Sequence, residues 1–289
     1  MGISAIDNTT QEEMMMQSIL LDVQDDDGLE ARFQCALDLA RSFDGHIHCV
    51  QPVPLGDYIG HEAFGSSFVV ANIAEDMTER ADEVRKTLET DFENEGVKWD
   101  FVRHHTDART AISTDAYLND IVVMSRPPHE KKQPLELSMI GDVVMTSPVP
   151  VLVVPEAQRQ FDIAGTAMVA WNSSFESANA LRKALPMLKC AKDVLVVSIE
   201  SRKDIKRHDY FPSVAASEYL SRHGVASELL AEPVDEKDVQ DALALIAAVR
   251  GAKYLVMGAY GHSRARQYFF GGVTRGMLRD MPLPLLLSH

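Results

Sequence analysis

The sequence predicts an α/β protein with two doubly wound, parallel, five-stranded sheets. Apolar segments alternate with amphipathic helices along the chain, and the whole pattern occurs twice. The apolar segments show little polar alternation, which is typical of parallel strands that are covered by helices on both faces. A chain of 289 residues has room for two such units, because single domains usually contain about 100 to 200 residues.

The first copy opens at 18–28 with a short apolar run and a polar turn, and the segment from Leu29 to Phe43 follows. Apolar Ala36, Leu37 and Ala40 recur there at helical spacing, so a strand, a loop and a helix are predicted in that order. The later elements of this copy are strands at 45–53, 97–103 and 120–125, a helix at about 107–117, and a closing helix and strand within 138–154.

The second copy repeats this order after roughly 135 to 145 residues, a period too long for a solenoid. It opens at 165–177, and its later elements are a helix at 178–188, strands at 192–200, 225–231 and 253–258, a helix at 238–249, and a closing helix and strand within 272–288. The closing segments of the two copies align without gaps, and each has Pro-x-Pro before its last strand. We therefore divide the chain into a flexible N-terminus (1–16), a first domain (17–155), a linker (156–163) and a second domain (164–289).

The predicted strand order also indicates where a ligand would bind. Right-handed crossovers place ligands beyond the carboxyl ends of the strands, at the point where the strand order reverses. The loops after the first and fourth strands meet at that point. They are 22–28 and 125–129 in the first copy, and 172–174 and 258–266 in the second.

Charge and composition exclude several classes of protein. The net charge of -15 argues against a nucleic-acid-binding protein. Residues 1–160 carry 29 acidic and 12 basic side chains, so the second copy is the better host for an anionic ligand.

Cys35, Cys49 and Cys190 form no CxxC pair and are interpreted as buried thiols of a reducing compartment. The longest apolar runs are far shorter than the ~20 residues of a membrane helix, so we expect a cytoplasmic protein.

The loop after the fourth strand of the second copy has the composition of a phosphate cradle. Its glycines are Gly258, Gly261, Gly271 and Gly272. Glycine permits positive φ and lets backbone N–H groups approach an anion, and the helix that begins near Gly272 points its positive end at the same place. Further donors are available from Ser263, Arg264, Arg266 and Thr274. The alternative is a glycine-rich turn without a ligand, since a few glycines are a weak motif.

The spacing of these glycines resembles the nucleotide-binding pattern of the universal stress protein family. Two residues separate Gly258 from Gly261, and nine separate Gly261 from Gly271. The segment VAWNSS (169–174) is similar to the first strand and loop of that family, and PLPLLLS (282–288) is similar to its last strand. Together with the internal repeat, the resemblance covers about residues 17–289 and is to a tandem-type universal stress protein.

This resemblance implies a fold, a function and a site. The fold is the Rossmann-like, adenine nucleotide alpha hydrolase-like fold, with the last strands of the two copies paired antiparallel in an intramolecular pseudo-dimer; a homodimer of chains stays open. The function is stress-response regulation through ATP or another adenine nucleotide, with Mg²⁺, or through unknown protein partners, with at most slow hydrolysis. The site residues that it implies are Asn172, Ser173, Ile199, Met257, Gly258, Gly261, His262, Ser263, Arg264, Gly271, Gly272, Val273 and Thr274.

The second copy departs from the family pattern at two of these positions. The family has a hydroxyl residue where this chain has Gly272, and an acid where this chain has Asn172. Loss of one hydroxyl contact to a charged phosphate costs about 1.5 to 3 kcal/mol. Asn172 can still donate to and accept from a base or ribose, and Thr274 matches the second hydroxyl position of the family. A weakened or altered nucleotide site is the expectation.

The first copy has lost more of the pattern. Ser125 and Pro128 stand where the second copy has Gly258 and Gly261, and a proline lacks the N–H of a phosphate nest. Asp22 and the run 25–27 lie at the mouth of this loop. They are interpreted either as Mg²⁺ ligands or, preferably, as a solvated loop that caps the next helix. We expect this domain to be structural or to bind something other than ATP.

The histidines and the insert of the first copy are given ordinary structural interpretations. His46 and His48 share a strand face, and His104 and His105 follow a strand, but no cysteine or carboxylate at ligand spacing accompanies them, so ordinary surface histidines are favoured. The insert 54–76 is interpreted either as a lid for an apolar ligand or, preferably, as a surface loop packed on the neighbouring domain.

Two alternatives to a nucleotide-binding regulator follow from the same residues. The first is a scaffold protein without nucleotide, favoured by Gly272, Asn172 and the proline-containing loop of the first copy. The second is a weak ATP-hydrolysing enzyme, for which the second copy offers only His262 and Asp280 as candidate groups. No catalytic residue and no metal ligand is predicted.

Overall fold

The computed structural model describes residues 16–54, 67–126, 134–200, 211–233, 239–261 and 272–289. The strands in this part of the chain are β1 (Ser18–Asp22), β2 (His46–Pro52), β3 (Lys98–His104), β4 (Ile121–Arg126), β5 (Val151–Pro155), β6 (Ala167–Trp171), β7 (Val194–Glu200), β8 (Glu228–Pro233), β9 (Tyr254–Gly258) and β10 (Leu285–Ser288). The helices are α1 (Leu29–Phe43), α2 (Ser67–Glu95), α3 (Ala108–Asp115), α4 (Pro134–Thr146), α5 (Phe175–Cys190), α6 (Ser213–Arg222), α7 (Val239–Arg250) and α8 (Gly272–Asp280), with a 3-10 turn at Ala116–Leu118 after α3.

The ten strands form one continuous sheet in the order β3-β2-β1-β4-β5-β10-β9-β6-β7-β8. Each half of this sheet has the same order of its own five strands, with the reversal between its first and fourth strands. All neighbours are parallel except β5 and β10, which are antiparallel. The predicted fold class, with two five-stranded halves in a pseudo-dimer, is confirmed.

The two halves meet through the pairing of β5 with β10. Leu285 lies opposite Val153, Leu286 opposite Leu152, and Leu287 opposite Val151. All six side chains are at most 1% exposed. The pairing therefore buries two apolar strand edges that would otherwise be exposed and prone to association with other chains.

Both faces of the sheet are buried, as continuous apolar strands require. Along β1, Ile19 and Leu21 pack into the core that contains α1, whereas Leu20 packs with α3 and α4 on the opposite face. Cys35 and Cys49 are buried, and burial raises the pKa of both thiols, so they are protonated members of the core. The interpretation of Cys190 as buried was wrong, because it is exposed at the end of α5.

The insert predicted at 54–76 is in part helical. Its last ten residues begin α2, a helix of 29 residues, whereas residues 55–66 lie outside the described part of the chain. No helix among the described residues has the length and apolar character needed to span a membrane.

Arg126 connects the first half of the chain to the last helix of the second half. Its side chain is 7% exposed and donates from Nη1 to the carbonyl oxygens of Arg279 (2.9 Å) and Leu278 (3.3 Å), and from Nη2 to that of Met281. These carbonyls lie at the C-terminal end of α8, where intrahelical donors are missing and a cation is favoured. Burial lowers the pKa of Arg126, and the nearby carboxylate of Asp280 opposes that effect.

We predict that Arg126→Met lowers the free energy of unfolding by about 2 to 4 kcal/mol, because it removes a charged donor and leaves buried carbonyl groups without partners. Urea unfolding followed by circular dichroism measures this loss. The control is Arg41→Met, whose half-exposed guanidinium contacts Asp38 at 3.5 Å and also pairs with Glu95; loss of these exposed ion pairs should cost about 1 kcal/mol or less. Equal unfolding midpoints for the two variants would contradict the role given to Arg126.

Candidate functional site

The loop between β6 and α5 forms one wall of the site predicted in the second half. Ser174 caps α5, since its Oγ accepts from the backbone N–H of Ser177 at 3.1 Å, and the Ser177 Oγ in turn accepts from the backbone N–H of Ser174. Ser173 has a φ of 60°, an unusual conformation for a residue with a side chain. The Asn172 side-chain oxygen accepts from the Ser174 hydroxyl at 2.7 Å. Asn172 is exposed and has its amide NH₂ group left to offer to a ligand.

Gly258, at the end of β9, lets the strand approach the first turn of α5. A β-carbon at this position would lie 2.5 Å from the carbonyl carbon of Glu176 and 2.5 Å from the nitrogen of Ser177. Backbone atoms cannot yield to such a clash, so packing alone requires glycine here. The preceding residue, Met257, is 6% exposed and belongs to the core on the α8 side of the sheet. Any contact of Met257 with a ligand would therefore involve mainly its backbone.

Gly261 lies beside a carboxylate. A β-carbon there would be 2.8 Å from Oε2 and 3.1 Å from Cδ of Glu176, in the first turn of α5. The Oε2 atom is buried and has no hydrogen-bond partner among the described residues. A buried carboxylate oxygen without a donor is costly, and its negative charge opposes the entry of another anion at this glycine.

The start of α8 is open towards the described part of the chain. A β-carbon at Gly272 would meet no atom of those residues within 4 Å. Val273 is partly buried, and Thr274 is 5% exposed. The first residue of α8 can thus accept a larger side chain or the close approach of a ligand, and the helix N-terminus favours negative charge there. The hydroxyl of Thr274 is in a packed position rather than on the surface.

The remaining predicted residues are placed only in part. Ile199 lies in β7, one residue beyond Ser198, which pairs with Trp171 of β6, so its backbone is at the carboxyl edge next to the β6 loop. His262, Ser263, Arg264 and Gly271 lie outside the described residues, as does Arg266. The strand order brings Asn172, Ser173, Ile199, Gly258 and Gly261 to one edge of the sheet.

The corresponding crevice of the first half is filled by a side chain. Arg32, in α1, is 1% exposed. Its Nη1 donates to Asp26 (2.8 Å) and to the hydroxyl of Ser125 (2.5 Å), and its Nε donates to the carbonyl oxygen of Asp22 (2.7 Å). Asp26 also accepts from the N–H of Gly28 at 2.8 Å. The run 25–27 is exposed, and Asp26 is used within its own loop. The favoured interpretation was wrong in two respects, because α1 begins after Gly28 without a side-chain cap and Asp22 is buried rather than solvated.

Asp22 is an unusual carboxylate in this crevice. It is 1% exposed, its Oδ2 accepts from Gln24 at 2.8 Å, and its buried Oδ1 has no partner in the part of the chain that the structure describes. Burial raises its pKa to about 6, although the charge of Arg32 works in the opposite direction. Asp22 therefore changes protonation state slightly below neutral pH.

Arg32 and Glu176 are the residues of the two crevices that the sequence analysis missed. Both lie in the helix that follows the first strand of their copy, where charged side chains are normally solvent-exposed. A weak signal was available for Arg32, because it is the only charged residue among the apolar positions Ala31, Phe33, Cys35 and Ala36. Glu176 gives no such signal, since acidic residues are common in the first turn of a helix.

We predict that Asp22→Asn stabilises the protein by about 1.5 to 3 kcal/mol at about pH 7.5. The folded protein holds the Asp22 proton more tightly than the unfolded chain does, so the cost of the charged group is complete above about pH 6. That cost decreases as the pH falls towards 4, and the advantage of the variant should decrease with it. Chemical denaturation at several pH values tests this, with exposed Asp25→Asn as control; an advantage independent of pH would contradict it.

Comparison with solved structures places this architecture among known proteins. The chain superposes on a universal stress protein from Archaeoglobus fulgidus DSM 4304 with a TM-score of 0.72 and 17% identity, covering 95% of this chain and 99% of that one. It also superposes on a functionally unknown protein from Pseudomonas aeruginosa PAO1 with a TM-score of 0.57 and 14% identity, covering 94% and 92%. No protein-family model and no curated protein matches the sequence.

Both superpositions extend over the two halves of the sheet rather than over one of them. The resemblance inferred from the glycine loop and the internal repeat is thereby confirmed at the level of the fold. The chain has the fold of a universal stress protein along almost its entire length.

Proposed function

We propose that this protein is a cytoplasmic stress-response regulator that binds an adenine nucleotide, such as ATP, in its second half. The observation that carries the proposal is the start of α8, where a β-carbon at Gly272 would meet no atom of the described residues within 4 Å. The matching crevice of the first half is occupied by the buried guanidinium of Arg32. The proposal therefore assigns one nucleotide to each chain.

In this proposal the backbone supplies most of the contacts. The N–H groups at Gly261 and at the start of α8 would hold phosphate oxygens, helped by the positive end of the helix. The amide NH₂ of Asn172 would donate to the base or ribose, since its oxygen is engaged by Ser174. The backbone of Ile199 would meet the adenine edge. None of these groups is a general base, so the proposed role is binding and regulation, with at most slow hydrolysis.

Glu176 sets a condition on this ligand. Its carboxylate lies beside Gly261 with one oxygen buried and unpaired, so a free polyphosphate would meet like charge. A divalent cation between the two would reverse that interaction, because Mg²⁺ is usually held by one or two carboxylates together with substrate phosphates. We accordingly propose that the nucleotide binds as its Mg²⁺ complex.

The alternative is a scaffold protein that binds no nucleotide and acts through protein partners. The contact between Gly258 and the first turn of α5 favours it, since strand–helix packing alone accounts for that glycine. The position of Glu176 favours it as well if no cation binds. The two proposals differ in whether ATP binds at all.

We predict that calorimetric titration of the whole protein with ATP gives about one site per chain and tighter binding with Mg²⁺ than without it. Glu176→Gln should tighten binding of free ATP by about tenfold and reduce the effect of Mg²⁺, because it removes the opposing charge. Gly261→Val should abolish binding, since its side chain fills the space beside Glu176. Absence of heat and of any thermal shift at millimolar ATP would exclude the nucleotide proposal and favour the scaffold.

A second prediction concerns the missing hydroxyl. Gly272→Ser should tighten ATP binding by about tenfold to a hundredfold, because it restores a donor to a charged phosphate at a position with free space. The matched control is Gly272→Ala, which adds the β-carbon without the hydroxyl and should leave the dissociation constant within about threefold. Equal affinities of the two variants would show that no phosphate lies at this residue.

A further inference from the structure

Three histidines and two aspartates form a continuous chain of contacts on the outer edge of the first half. His46 Nε2 lies 2.6 Å from Asp100 Oδ1, and His48 Nδ1 lies 2.9 Å from Asp100 Oδ2. His48 Nε2 lies 3.3 Å from Asp115 Oδ2, and His104 Nε2 lies 2.8 Å from the same oxygen. We call these five residues the histidine–aspartate chain. It joins β2, β3 and the last turn of α3.

Ordinary histidines were favoured because no cysteine or carboxylate at ligand spacing accompanies them, but the fold places two distant carboxylates beside them. The parallel pairing of β2 with β3 puts His48 directly opposite Asp100, 52 residues away in the sequence. Asp115 reaches the same face from α3. Within the described part of the chain no group of three or more such residues is arranged to hold a metal ion. The four contacts have hydrogen-bonding distances.

His48 is the central member because each of its ring nitrogens faces a different carboxylate. A neutral imidazole carries one N–H, whereas the imidazolium ion carries two. With a neutral ring, the lone pair of the second nitrogen would face a carboxylate oxygen, which is repulsive. The doubly protonated ring suits this arrangement, because both of its nitrogens can then donate to the carboxylates. Burial alone would raise the pKa of Asp100, but its hydrogen bonds with His46 and His48 lower it below the usual value, so Asp100 is ionised.

Helix α3 relies on the histidine–aspartate chain because few of its own apolar side chains are buried. The helix has eight residues, of which only Ala111 and Ile112 are buried. Helices of this length are not stable alone in water. Its other side is held to α4 by polar contacts, a 3.0 Å hydrogen bond between the hydroxyls of Ser113 and Thr146 and a 3.6 Å ion pair between Arg109 and Asp142.

The other charged side chains around the histidine–aspartate chain are paired with different residues. Lys98 lies on the same face of β3 and pairs with Asp44 at 3.0 Å. Arg109 faces Asp107 at 3.9 Å in addition to Asp142. Histidine is the side chain that ordinarily changes charge between about pH 5 and 8.

We infer that the histidine–aspartate chain is a proton-operated clamp, which fastens α3 to β2 and β3 when His48 is protonated and releases it when His48 is neutral. The stabilisation is present at mildly acidic pH and is lost as the pH rises through the range in which histidine loses its proton. Strong acid also weakens it, because the aspartates are then neutral. Release uncovers the apolar side chains of Val50 and Val102, which share the core on this face.

Hydrogen exchange of the full-length protein, corrected for the intrinsic rate at each pH, tests this inference. Amide protection in 108–118 should fall by about three- to tenfold between about pH 6 and pH 8.5, a modest change because the clamp is partly exposed. His48→Gln should remove this pH dependence. The matched control is His105→Gln, at an exposed histidine next to the clamp, which should retain it.

Nitrogen NMR of the wild-type imidazole rings gives a second measurement that needs no variant. At about pH 6 both ring nitrogens of His48 should carry protons, and the loss of one should follow the loss of protection in α3. Protection that does not vary with pH, a wild-type pH dependence in His48→Gln, or a neutral His48 at about pH 6 with α3 protected would each overturn the inference.

Discussion

The antiparallel pairing of β5 with β10 is the contact on which the rest of the molecule depends. Six apolar side chains, each at most 1% exposed, lie along it, and it turns two five-stranded sheets into one sheet of ten strands. An open five-stranded sheet of this type would present a long apolar edge to solvent. The duplication within one chain supplies the partner strand at a fixed distance, so that edge is covered without a second molecule.

The two halves share the β5–β10 pairing but differ in the polar residues of their crevices and outer strands. The first half has a buried arginine in its crevice and a chain of histidines and aspartates at its edge strand. The second half has glycines at the corresponding loop and a carboxylate beside one of them. Because the core contacts of both halves are apolar and alike, these polar differences do not disturb the common sheet.

The sequence was sufficient to predict the strands of the sheet, but it did not predict which charged residues lie in the two crevices. Apolar runs such as VLVVSIE and KYLVMG predict parallel strands because burial on both faces excludes polar residues. The role of Gly258 was predicted less well, since a glycine that admits a helix and a glycine that admits a phosphate are identical in a sequence. Arg32 and Glu176 were missed because charged side chains on such helices are normally exposed. Asp100 and Asp115 were missed because they are 52 and 67 residues from His48 in the sequence, and only the folded backbone brings them together.

Arg126 binds the C-terminal end of α8 from the other half of the sheet. This helix of nine residues is about 13 Å long, and its C-terminal end is held by a guanidinium that belongs to the other half. Its first residue, Gly272, lies at the opposite end, where the glycine loop enters the helix. The orientation of α8 is therefore set by contacts from both halves of the chain, so its geometry is a property of the paired halves and not of the second half alone.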